Sequence, residues 1–198
     1  DIVVDELGLR ESKEVSTPGS NEDVDRMLLD VGEPLGPSEA TLYRALAARL
    51  NYLALDRPDI QYATKEVARH MANPTSGKWL LMKRLGRYLK GSPRLVQMFR
   101  WQDAVRALHT YTDSDWADDR MTRKSVSSGI LFLGKHAVGV FCSGQQVVSL
   151  TSGESEFYAA GKGAAHLIYL QQVMADIGVT IKGTLRTDSS AALGAVCL

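Results

Sequence analysis

The feature that most constrains the fold is a change in hydrophobic period near residue 106. From Ser38 to that point, apolar residues recur every three or four positions, as they do in amphipathic helices. Beyond it, short apolar stretches alternate with Gly and Ser turns, which is typical of strands. With 198 residues, 44% apolar and 23% charged, the chain can bury a core and is neither a coiled-coil rod nor wholly disordered. We therefore expect an α/β unit that follows a helical segment.

Three helices joined by short loops are predicted between residues 38 and 106. The first ends before Pro58, a residue that suits the first position of the second helix. The second stops at Asn73-Pro74, and the third runs from about Ser76 to Lys90. The apolar stripes are Leu42, Leu46, Leu50 and Leu53, then Ile60, Ala63, Val67 and Met71, then Leu81, Leu85 and Tyr88.

Charge is distributed unevenly, although 23 basic residues offset 23 acidic ones. Residues 1–37 hold ten acidic and three basic side chains, a net charge of −7. Because this segment has several Gly and Pro residues and no sustained period, we predict an acidic linker or extended arm. Residues 38–106 hold five acidic and 13 basic side chains, a net charge of +8, and an anionic partner is expected to dock there.

The third helix carries the basic residues that are expected to contact this partner. They are Lys83, Arg84, Arg87 and Lys90. A solvated helix face with no partner is the alternative that the pattern leaves open.

The remainder of the chain predicts a mixed α/β unit. Strands are expected at 108–112, 126–133 and 137–142, with a short fourth at 146–150. A long helix over 152–177 ends at Gly178, and a strand at 185–187 and a helix over 189–196 follow. The order indicates a meander that leads into a crossover connection.

Three acidic residues stand where these elements end. Asp113 follows the first strand, Glu156 lies in the first turn of the long helix, and Asp188 follows the last strand. If the two strands are adjacent and parallel, Asp113 and Asp188 meet beyond their carboxyl ends, and Glu156 must face them. Each acid also has a purely structural interpretation: a turn former at 113, a helix cap at 188, and a favourable dipole interaction for Glu154 and Glu156.

Six strings occur in an order and at a spacing that resemble one known family. They are LNYLALDRPDI at 50–60, RYLKG at 87–91, YTDSDWA at 111–117, RKS at 123–125, SGESEFYAA at 152–160 and TDSSAA at 187–192. The chain resembles the carboxyl-terminal part of copia-type LTR-retrotransposon polyproteins, in which the end of the reverse transcriptase precedes a ribonuclease H domain. The resemblance covers about residues 38–198, with a weaker likeness at the STPG of 16–19.

The resemblance implies a ribonuclease H-like mixed sheet over 107–198, preceded by a reverse-transcriptase connection-like helical segment over 38–106. The family's catalytic, metal-binding carboxylates match Asp113, Glu156 and Asp188. Such a set holds two Mg²⁺ or Mn²⁺ ions for hydrolysis of the RNA strand of an RNA–DNA hybrid. The implied partners are that hybrid or another nucleic acid, and the rest of a retroelement polyprotein or a larger assembly.

Two departures from the family pattern bear on activity. The Tyr-x-Asp-Asp string of the polymerase site is absent, so no polymerase activity is expected. The family's domain continues past the second aspartate to a fourth acid, whereas this sequence ends at Leu198, which implies a truncated domain with an incomplete sheet. A non-catalytic, domesticated fragment that acts as a structural or binding subunit is therefore the alternative.

Other sequence features exclude several classes of protein. The two cysteines have no CxxC spacing, so neither a disulfide scaffold nor a zinc site is expected. We find no apolar stretch of membrane-spanning length and no signal peptide. The chain is thus expected to be intracellular, cytoplasmic or nuclear, without a membrane span.

Overall fold

The computed structural model describes residues 2–19 and 32–196. The chain forms two compact units, Asp1–Gln97 and Met98–Leu198. Among the described residues, each helix is either too short or too polar to cross a lipid bilayer.

The first unit is helical, and it contains the three predicted helices. Its elements are α1 (Ile2–Glu6), α2 (Pro37–Leu53), a 3₁₀ turn (Pro58–Ile60), α3 (Gln61–Arg69) and α4 (Ser76–Gly91). The predicted stripes face a common core, in which Leu46, Leu50, Ile60, Val67 and Leu85 are fully buried. The helical period of the apolar residues was sufficient to predict these three helices, because each helix buries one continuous face.

The amino-terminal segment departs from the predicted linker or extended arm. Residues 2–6 form α1, and Val4, Leu7 and Leu9 are buried in the same core as the later helices. The leucines at 7 and 9 sit over Gly86 of α4, where a β-carbon would lie 2.6 Å from Leu9 Cδ1. The prediction is therefore wrong for residues 2–9, because their apolar side chains gain from burial while Asp5 and Glu6 stay exposed and pair with Arg10 and Arg49. The rest of the predicted linker includes residues 20–31, which lie outside the described residues.

The second unit is the expected mixed α/β structure. Its elements are β1 (Ala107–Asp115), β2 (Val126–Leu133), β3 (His136–Gly144), α5 (Ser152–Asp176), β4 (Lys182–Arg186) and α6 (Ser190–Val196). The strand order is β3-β2-β1-β4, antiparallel except for the parallel pair β1 and β4. Helix α5 packs on β1, β2 and β4 and makes the crossover. Gly178 ends this helix in a left-handed conformation, with a φ of 82°.

The second unit begins at Met98 rather than after residue 106. Gln102 explains the difference, because its Nε2 donates to Leu133 O and its Oε1 accepts from the Lys135 amide, each at 3.0 Å. Phe99 also packs on His136, with 5.3 Å between ring centroids. The connecting segment is thus tied to the β2–β3 hairpin by contacts that have no signature in the local sequence.

The predicted strand at 146–150 is wrong. Residues 146–150 have no regular secondary structure, and the buried side chain of Gln145 holds this segment in place. Its Nε2 donates to Ser127 Oγ at 3.0 Å and to Ser155 O at 2.9 Å, while its Oε1 accepts from Ser149 Oγ at 2.8 Å. Side-chain hydrogen bonds therefore replace the ladder that the apolar pattern predicted.

Candidate functional site

The three predicted carboxylates converge at one end of the sheet. Asp113 lies within β1, two residues before that strand ends, and Asp188 lies two residues beyond β4, the parallel neighbour of β1. Glu156 lies on α5, in its second turn rather than its first. One carboxylate oxygen from each residue lies within 4.8 Å of the other two. The expected adjacency of the two strands and the expected orientation of Glu156 are both observed.

Close packing of α5 on the sheet brings Glu156 to this position. Gly163 is buried on the sheet side of the helix, and a β-carbon there would overlap the methyl group of Thr112. The same β-carbon would lie 3.1 Å from Leu185 Cδ1 and 3.3 Å from Thr110 Cγ2. The glycine therefore permits a helix-to-sheet distance that no other residue allows.

The structural roles considered for the three acids either do not apply or are filled by neighbouring residues. Asp113 pairs with Ser128 inside the β1–β2 ladder, so it is not a turn residue. Ser189 Oγ accepts from the Ala192 amide at 3.1 Å and thus caps α6, the role considered for Asp188. At the start of α5, Glu154 Oε2 accepts from the Leu150 amide at 2.7 Å. None of these bonds uses the carboxylate of Asp113, Glu156 or Asp188.

The Glu156 carboxylate has an asymmetric environment. The backbone amide and the hydroxyl of Ser114 both donate to Oε1, at 3.0 and 2.9 Å. Oε2 is buried and has no hydrogen-bond partner. A buried carboxylate oxygen without a partner is unfavourable by about 1–3 kcal/mol or more, and a cation beside it would remove that penalty.

The donor set fits a hard divalent cation. All three residues supply carboxylate oxygens, the ligands that Mg²⁺ and Mn²⁺ prefer. Asp113 and Asp188 are exposed, so solvent can complete a coordination shell, and Glu156 is partly buried. The unpartnered Oε2 of Glu156 is the structural observation that favours a bound ion over three independent surface acids.

Two serines beside this cluster were missed by the sequence analysis. Ser114 donates to Glu156 as described, and its Oγ lies 2.8 Å from that of the fully buried Ser155. The alternating burial along β1 could have identified Ser114. Leu108, Thr110 and Thr112 are buried, and Ser114 is the next residue on the same face of the strand, so it faces α5.

The basic residues of α4 lie beside the amino-terminal segment. Arg84 Nη2 donates to Thr17 Oγ1 at 3.1 Å, Arg87 Nε to Lys13 O at 2.6 Å, and Lys90 Nζ to Ser12 O at 2.8 Å. Lys83, like these three residues, is partly buried. The acceptors of Arg87 and Lys90 are uncharged backbone carbonyl oxygens, so these two bonds do not neutralise the positive charges of their donors.

Comparison with known proteins gives matches to transposon polyproteins. The "Retrovirus-related Pol polyprotein from transposon RE2" of Arabidopsis thaliana is 30% identical over 170 residues, which cover 86% of this chain and 11% of that protein. The corresponding polyprotein from transposon TNT 1-94 of Nicotiana tabacum is 30% identical over 181 residues, 89% of this chain and 13% of that protein. The chain belongs to the copia-type Pol polyprotein family. It spans only about a tenth of the length of these relatives.

A shorter protein also matches this chain. The "Secreted RxLR effector protein 161" of Plasmopara viticola is 27% identical over 126 residues, which cover 64% of this chain and 88% of that protein. No protein-family model and no solved structure matches the chain. The family assignment therefore rests on the full-length polyproteins, and it identifies a retroelement-derived domain.

Proposed function

We propose that the second unit is a ribonuclease H-like domain whose activity is metal-dependent hydrolysis of RNA in RNA–DNA hybrids. The observation that carries the proposal is the convergence of Asp113, Glu156 and Asp188 within 4.8 Å. Asp113 and Asp188 each lie two residues past the last pair of the parallel β1–β4 ladder, Tyr111 and Arg186, and this position in a sheet of order β3-β2-β1-β4 supports a ribonuclease H-like fold.

The roles of the three acids follow from their positions. Asp113 and Asp188 supply exposed oxygens that a substrate in solvent can reach, and Glu156 supplies an oxygen from the helix packed on the sheet. These three residues would hold Mg²⁺ or Mn²⁺, and the chemistry the ion would supply is activation of water for attack on a phosphodiester and stabilisation of the leaving oxygen. The protein contributes the spacing of the ligands: Asp113 is held by β1, Glu156 by the packed helix α5, and Asp188 by the short connection between β4 and α6.

Cleavage of a labelled RNA–DNA hybrid during a Mg²⁺ titration tests this proposal. We expect cleavage by the wild-type chain and none by Asp113→Asn. Glu154→Gln is the matched control, because it removes a nearby carboxylate charge but keeps an acceptor for the Leu150 amide. Equal residual cleavage by the wild type and Asp113→Asn would indicate a contaminating nuclease and would refute the activity.

In the first unit, we propose that the basic face of α4 contacts phosphates through Lys83, Arg84, Arg87 and Lys90. Phosphate oxygens accept stronger, charge-assisted hydrogen bonds than the uncharged acceptors of residues 12–17. Neutralising both Arg87 and Lys90 to Gln is expected to weaken hybrid binding and to lower the salt slope by up to about 0.9 per lost contact. Lys135→Gln, in the turn between β2 and β3, controls for a general loss of charge. An unchanged salt dependence of hybrid binding would contradict the proposed phosphate contacts and leave α4 with a structural role only.

A second candidate function is a non-catalytic binding or structural subunit. One observation favours it: the effector of Plasmopara viticola, a protein whose name states no enzyme activity, is 27% identical to this chain over 126 residues, 88% of its own length. Saturable hybrid binding that needs no divalent ion and survives Asp113→Asn, without cleavage at any Mg²⁺ concentration, would favour this candidate over the nuclease.

A further inference from the structure

The hydrogen bonds around Glu156 are unequally divided between its two oxygens. Oε1 accepts two bonds, both from Ser114, whereas the buried Oε2 accepts none. Ser114 directly follows Asp113 in β1, so one residue links two of the three carboxylates. A carboxylate held at one oxygen by two donors cannot rotate freely about its terminal bond, and the other oxygen keeps a fixed direction.

The hydroxyl of Ser114 is itself held in place. Its Oγ lies 2.8 Å from Ser155 Oγ, and Ser155 Oγ lies 2.8 Å from Ser152 O. The two hydroxyls have two protons between them. The Ser114 hydroxyl is expected to donate its proton to the charged Oε1, because a hydrogen bond to a carboxylate is stronger than one to a neutral oxygen. Ser155 can then donate either to Ser114 or to Ser152.

We propose that Ser114 is a positioning residue that fixes Glu156 through Oε1 and thereby leaves Oε2 as the ligand oxygen for the divalent ion, with Ser155 supporting the Ser114 hydroxyl. The role rests on the proposed function, since it presumes that the three acids hold an ion. Ser114 acts through Glu156 and does not itself touch the ion. Outer-shell hydrogen bonds of this kind typically change metal affinity by about 10- to 100-fold.

The test is the affinity for Mn²⁺ alone, measured by calorimetry and by electron paramagnetic resonance of the free ion. Ser114→Ala is expected to weaken binding about tenfold, the lower end of the range, because the backbone amide of residue 114 still donates. Ser114→Thr keeps the hydroxyl and should retain most of the affinity. Ser114→Val has the same shape as Thr without the hydroxyl, so this pair repeats the test if Ser114→Ala does not fold.

A double-mutant cycle separates positioning from general stabilisation. If Ser114 acts through Glu156, adding Ser114→Ala to Glu156→Gln should weaken Mn²⁺ binding no further than Glu156→Gln alone. Melting temperatures in EDTA show whether the variants are merely less stable. A purely structural serine would lower the melting temperature and leave the Mn²⁺ affinity unchanged.

The outcomes distinguish this role from the proposed function. If the wild type binds Mn²⁺, Asp113→Asn does not, and Ser114→Ala binds as the wild type does, Ser114 has no positioning role and the metal site stands. Additive losses in the double mutant would also overturn the role. If the wild type shows no saturable Mn²⁺ binding, the proposed function fails and the role of Ser114 fails with it.

Discussion

Substitution of two glycines on α5 provides a direct test of how the site is assembled. Gly161 is exposed, and a β-carbon there meets no atom within 4 Å, whereas one at Gly163 overlaps Thr112. Replacing either glycine by alanine favours the helix by about 1 kcal/mol. This gain is common to both variants, so their difference in stability isolates the effect of the overlap.

The overlap at Gly163 has a predictable magnitude. Thr112 is buried on β1, an inner strand of the sheet, and is β-branched, so its methyl group cannot rotate away easily. Inserting a methyl group into such a contact destabilises a protein by about 1–3 kcal/mol. Gly163→Ala should therefore be about 1–3 kcal/mol less stable than Gly161→Ala, and between unchanged and about 2 kcal/mol less stable than the wild type.

Urea denaturation followed by circular dichroism measures this difference, and hydrogen exchange of the β1 amides assigns it to the second unit. Because Glu156 lies seven residues before Gly163, about 10 Å along the helix, the displacement should also weaken Mg²⁺-dependent stabilisation. If Gly163→Ala is as stable as Gly161→Ala and responds equally to Mg²⁺, the close helix-to-sheet contact does not set the site geometry.

Three further predictions concern single residues. At about 100 times its dissociation constant, Mg²⁺ should stabilise the wild type by about 2.7 kcal/mol, and Asp188→Asn should lose most of this in a thermal melt. Tyr43→Phe removes a buried bond to Val67 O (2.8 Å) and should lower the unfolding free energy in urea by about 1 kcal/mol. The hydrogen bond from Arg57 lowers the pKa of Asp59, so its stabilisation is present above about pH 4, the unfolded pKa, and disappears as pH falls through the folded pKa. Urea midpoints of the wild type and Asp59→Asn should therefore converge in acid; a pH-independent gap would contradict this.

The sequence by itself determined the elements that bury one continuous face. The leucines of α2 and the stripe of α3 appear in the sequence because each helix repeats its burial every three or four residues. The order of strands and helices in the second unit was likewise predictable, apart from the strand wrongly predicted at 146–150. The candidate site residues came from short strings that resemble a family, because a lone Asp after a strand has several common structural roles.

Only the tertiary structure showed which contacts each acid makes. Glu154 and Glu156 are two residues apart on the same helix, yet one bonds to Leu150 and the other to Ser114, because residues two apart point in different directions. Long-range contacts also decided the position of the amino-terminal segment, where the few apolar residues Val4, Leu7 and Leu9 are buried among charged neighbours. A segment this short contains too few residues to show a clear hydrophobic period. Whether it packs depends on a surface elsewhere in the chain, which here is the surface of α4 at Gly86.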